Sequence, residues 1–75
     1  MATNKQNGVN FNMKIQFSTE GAAFKDEYAD KVTNDIYTRE EVIRILRGIA
    51  ANIEYGYDHG SIMDINGNKV GSWEL

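Results

Sequence analysis

The first clear pattern is a two-residue alternation over Met13–Phe17: Met13, Ile15 and Phe17 face one way, Lys14 and Gln16 the other. That period belongs to a half-buried strand. Ser18–Gly21 breaks it, Gly21 freeing the backbone for a turn. Ala22–Phe24 is expected to run on as a short extended piece that tucks Phe24 into the core. Residues 25–37 place Tyr28, Val32, Ile36 and Tyr37 at partly helical spacing. Asp30, Thr33, Asn34 and Asp35 are weak helix formers, however, so this segment reads as a loop holding one helical turn.

The period changes at Thr38. Thr38 and Glu41 have the spacing of a capping box, in which the threonine hydroxyl and the glutamate satisfy each other's backbone amides. Glu40 and Glu41 suit the positive end of the helix dipole. Val42, Leu46, Ile49 and Ile53 then step by four, three and four, with Ile43, Ile45 and Ala50 widening the stripe. Glu40 and Arg44 form an i,i+4 pair. The pattern predicts a helix from about Arg39 to Glu54 or Tyr55, closed by Gly56 in a left-handed conformation. Gly48 inside it implies close approach of another element. Ser61–Ile65 and Lys69–Glu74 read as strands joined at Asn66-Gly67, a hairpin signal because both residues tolerate positive φ. A two-residue loop pairs Met63 with Val70; a type I turn with a glycine bulge pairs Ile62 with Val70. The inward residue is therefore Met63 or Ile62. The expected fold is α+β: strand–loop–helix–strand–strand, with one helix packed on a three-stranded sheet. Its core is the helix stripe with Ile15, Phe17, Phe24, Ile62, Val70 and Trp73.

Length fixes the scale of that core. Seventy-five residues make one small domain, and a chain of this size buries only about 60–65% of its unfolded surface. It has no cysteine and one histidine, His59, so disulfides, thiolate zinc sites and multi-histidine sites are excluded as supports. Residues 1–12 are polar and asparagine-rich, and are expected to form a disordered or weakly ordered arm before a domain at 13–75. Met13 is an alternative start. A formal charge of −3 disfavours nucleic acid as the partner, since phosphate contacts need clustered cations. No apolar run approaches the roughly 20 residues of a membrane span, and no signal-peptide pattern is present. A cytoplasmic protein is expected.

Four constellations bear on chemistry. Asp64, Asn66 and Asn68 match positions 1, 3 and 5 of a calcium loop. Position 6, which needs glycine, is Lys69, and position 12 is Leu75, so an Asx turn is the better reading. Asp58, His59, Ser61 and Asp64 are the residue types of a hydrolytic triad, but no nucleophile motif surrounds Ser61, so no enzyme is expected. Lys14, Arg44, Arg47 and Lys69 would serve a nucleic acid only by converging on one face. Tyr55, Tyr57, Asp58 and His59 form an aromatic-bearing connector after the helix and are the candidate interaction surface, aromatics being enriched at interfaces. Trp73 reads as core.

Three segments, "MKIQFSTEGAAF", "EEVIRILRGIAANIEYGYDHG" and "IMDINGNKVGSWEL", resemble small uncharacterised bacteriophage and prophage proteins. The likeness lies in a strand ending near "AAF", an amphipathic helix, and a closing D-x-N-G-N-x-V-G-x-W hairpin, here Asp64, Asn66, Gly67, Asn68, Val70, Gly71 and Trp73. It covers residues 13–75 and departs from the pattern in the insert at 25–37. The resemblance implies a mobile-element context in a bacterial host cell and transfers no catalytic residue. The combined expectation is an accessory protein without cofactor or metal, acting by protein binding or self-association. The alternative is a nucleic-acid-associated regulator of a mobile element.

Overall fold

The computed structural model describes residues 12–75; the expected arm at 1–12 lies, but for Asn12, outside the described residues. Strand β1 (Lys14–Phe17) is followed by helix α1 (Lys31–Glu54), strand β2 (His59–Met63) and strand β3 (Lys69–Glu74). The strands form one antiparallel sheet in the order β1-β3-β2. The expected α+β architecture and element order are those observed.

The main correction is the start of α1, eight residues before Arg39. Asp30 is the N-cap, in extended conformation, and its Oδ1 accepts from the Thr33 amide at 2.7 Å. That bond supplies one of the orphaned first-turn amides with an acceptor. The weak propensities of Thr33, Asn34 and Asp35 cost at most roughly 0.7 kcal/mol each, and propagating an existing helix is easier than nucleating one. Asp35 also pairs with Arg39 at 2.9 Å, one turn on. Thr38 is thus a mid-helix residue. Its hydroxyl lies 2.9 Å from the Asn34 carbonyl and 3.0 Å from the Phe24 carbonyl, tying the preceding segment to the helix.

That segment is a turn, not an extended piece: the Phe24 and Lys25 amides both donate to the Gly21 carbonyl. The turn drops Phe24 into the core, where it is fully buried and stacks on Phe17 with ring centroids 6.3 Å apart. Beyond it, Asp26 and Asn34 side chains accept from the Tyr28 and Asp26 amides.

At its other end α1 stops at Gly56 as expected. Gly56 has φ +101°; its amide donates to Ile53 O and the Tyr57 amide to Asn52 O, the two bonds of a Schellman motif. The face turned to the sheet buries Ile45 and Ile49, with Val42 and Ile53 beside them. Leu46 and Ile43, expected in the stripe, lie outside it and are exposed.

The hairpin takes the glycine-bulge turn. Gly67 has φ +86°, its amide donates to Asp64 O, and the Asp64 amide donates to Asn68 O. Met63 then pairs with Lys69, but Ile62 pairs with Gly71. Val70 is left over as a bulge, so neither expected register holds beyond the turn. Ile62 faces the core and Met63 is exposed. β2 covers 59–63, two residues earlier than the expected 61–65.

Two rows cross the helix-facing side of the sheet: Ile15–Trp73–Gly60 and Phe17–Gly71–Ile62. Each contains one glycine. A Cβ on Gly60 would fall 2.9 Å from Trp73 Nε1, so the missing side chain seats the indole. Trp73 is only 2% exposed and Nε1 has no acceptor. Burying its rings is worth about 5 kcal/mol, more than the roughly 1–3 kcal/mol an unmet donor costs. The outer side of the sheet is polar, with rows His59–Glu74–Lys14 and Ser61–Ser72–Gln16.

Gly48 is not a point of close approach: no neighbouring atom lies within 4 Å of the Cβ it lacks. Gly48→Ala is therefore expected to raise the unfolding free energy by about 0.5–1 kcal/mol, read from urea denaturation. A loss of stability would show that the sheet closes over this position.

Candidate interaction surface

The polar centre of the molecule lies where the hairpin turn meets α1, and its members are Asp64, Glu41 and Arg44. Asp64 is buried, and its Oδ1 accepts from the Asn66 and Asn68 amides at 3.0 and 2.8 Å. The side-chain amide of Asn68 reaches Oδ2 at 3.3 Å. This is the Asx turn expected from the sequence, with the carboxylate turned to amide donors. Those bonds, led by the Asn68 amide, hold the Asp64 carboxyl below its ordinary 3.8, against the burial that raises it.

Glu41 is the residue the sequence misassigned. It caps no helix; it is only 5% exposed and accepts from Arg44 through both oxygens, at 2.7 and 3.0 Å. Its Oε2 also accepts from the Ile65 amide at 2.8 Å, and Arg44 Nη2 donates to Met63 O at 3.0 Å. Arg44 thus pairs with Glu41, not with the expected Glu40. Hydrogen bonding from Arg44, then from the Ile65 amide, holds Glu41 below its ordinary 4.5, although burial and the nearby Asp64 oppose this. The group is a clamp between helix and hairpin. Among the described residues no three His, Asp or Glu side chains gather as a metal site requires.

The connector residues Tyr55, Tyr57, Asp58 and His59 run from the Schellman turn into the first residue of β2. Tyr55 is 86% exposed and Tyr57 is 61% exposed. Asp58 Oδ1 lies 2.8 Å from His59 Nδ1, both side chains well in solvent. Ser61 follows on the polar face of β2, opposite Ser72. The cations do not converge. Lys14 stands opposite Glu74 on the sheet, Lys69 opposite Met63 at the hairpin, Arg47 on the helix, and Arg44 is held by Glu41.

A larger feature was hidden by the late helix start. Val32, Ile36, Ile43 and Leu46 are 71%, 50%, 47% and 42% exposed. They lie along α1 on a side turned roughly 130° from its buried face, at 3.6 residues per turn. The helical spacing of Val32 and Ile36 was visible in the sequence; its continuation into Ile43 and Leu46 required the helix to begin at Lys31.

No family model matches this chain, and no curated protein or solved structure matches it. No helix among the described residues is long and apolar enough to cross a membrane.

Proposed function

We propose that this chain works by binding protein surfaces, not by chemistry. The observation that carries the reading is the outer side of α1, where four large aliphatic residues stand in solvent along one helix. Contiguous exposed apolar surface on a small domain marks a contact site. The tyrosines of the connector add anchors of the type that dominate interface energetics. A nucleic-acid role draws less support, because the available cations are dispersed and the net charge is −3. The phage or prophage context, an accessory role and the cytoplasm of a bacterial host belong to the same proposal, resting on the hairpin motif.

The test compares the chain with Leu46→Glu in affinity capture from bacterial lysate, with light scattering alongside. The proposal expects self-association, or a captured protein, that is lost in the variant while the fold is retained. A chain that stays monomeric and captures nothing specific contradicts it.

A further inference from the structure

We infer that α1 pairs antiparallel with α1 of a second copy of this chain, about a two-fold axis beside Ile43 and Leu46. This rests on the protein-binding reading and names the partner. Val32, Ile36, Arg39, Ile43, Leu46, Ala50 and Ile53 are spaced four, three, four, three, four and three. That is the repeat of a helix–helix seam, and it continues without a break over most of α1. Core packing accounts only for its last member, Ile53, which lies beside the core; the residues buried against the sheet are Glu41, Ile45 and Ile49.

Charge selects the partner and the direction. The solvent-side flank of the seam carries Glu40 and Arg47, which have no ion-pair partner among the described residues. In an antiparallel pair the same flank of each helix meets its own kind, so Glu40 of one copy faces Arg47 of the other, twice over. The seam then layers Ile43 on Leu46, Ile36 on Ile53, and Arg39 on the small Ala50. Arg39 arrives already neutralised by Asp35. A parallel pair sets Asp35 against Glu40 instead, a like-charge contact. The contact is isologous and closes on itself. The sheet of each copy, roughly 130° around its helix from the seam, stays clear of the partner helix.

The test is sedimentation equilibrium over a wide concentration range at low salt. The wild-type chain is expected to dimerise, and Leu46→Glu to stay monomeric with an unchanged circular dichroism spectrum. Glu40→Arg alone and Arg47→Glu alone each place like charges in both flanking contacts, and each is expected to weaken the dimer about tenfold. The double variant restores it, and mixing the two single variants gives a heterodimer in preference to either homodimer. Both substitutions lie in solvent, so folding is not at stake. A monomeric wild type overturns the inference, as does a dimer indifferent to the charge swaps. A monomer that captures another protein through Leu46 overturns it too, while leaving the protein-binding reading standing.

Discussion

Gly71→Ala is expected to strip β1 from the sheet and lower the unfolding free energy by about 3 kcal/mol, the upper part of the range for overpacked sites. A Cβ at Gly71 would overlap the Gln16 carbonyl oxygen and stand 2.6 Å from Phe17 Cα and Cβ. These are mostly backbone atoms of the paired strand, so no side-chain rotation relieves the contact. β3 is the central strand, and Gly71 sits between Phe17 and Ile62. Moving β1 away therefore also loosens Phe17 from Phe24. For a domain of this size, whose whole stability is about 4–11 kcal/mol, that is a large fraction. Ser72→Ala, on the polar face one residue on, is the control and is expected to change stability by under about 0.5 kcal/mol. Urea denaturation of both decides it; equal midpoints would show that β1 is not held as described.

Glu41→Ala is expected to cost about 3 kcal/mol, the lower end for breaking a buried ion pair, since Arg44 keeps partial access to water. The substitution also leaves the Ile65 amide without its acceptor and Arg44 with only the Met63 carbonyl. Asn66→Ala, which removes neither contact, serves as the comparison. The same clamp sets an acid limit. Glu41 and Asp64 are both held below their ordinary values of 4.5 and 3.8. A carboxyl depressed in the folded state contributes stability above its unfolded pKa and loses it as pH falls through the folded value. Stability should therefore begin to fall as pH drops below about 4.5 and continue falling below 3.8, as thermal melts at stepped pH can read. In Glu41→Ala that decline should be shallower, Asp64 and Asp30 alone remaining from the depressed set.

Much of the fold was legible because its signals are local. Gly56 ends the helix by the backbone freedom the sequence implied, and Asn66-Gly67 makes a turn whose glycine takes the left-handed conformation. Where the reading failed, a competing local signal was stronger or a long-range contact decided. Thr38 and Glu41 have capping-box spacing, yet Asp30 caps the helix, and Glu41 is claimed by Arg44 and by an amide 24 residues away. The bulge at Val70 lies between the Met63–Lys69 and Ile62–Gly71 pairs, a register across two strands that no single stretch of sequence records. The connector Tyr55, Tyr57, Asp58 and His59 could be named from composition alone. The outer row of α1 could not, because Val32 and Ile36 read as loop while Ile43, Leu46, Ala50 and Ile53 read as part of the core stripe.

The most direct measurement of the account is the distance between spin labels on Lys31→Cys, in a chain that has no other cysteine. With the two-fold axis beside Ile43 and Leu46, the labels of a pair should stand about 40 Å apart, from the rise of 1.5 Å per helical residue. A short distance of roughly 10–15 Å, the spacing of neighbouring parallel helices with their labels, would contradict it, as would the absence of any intermolecular distance at concentrations where wild-type chain sediments as a dimer.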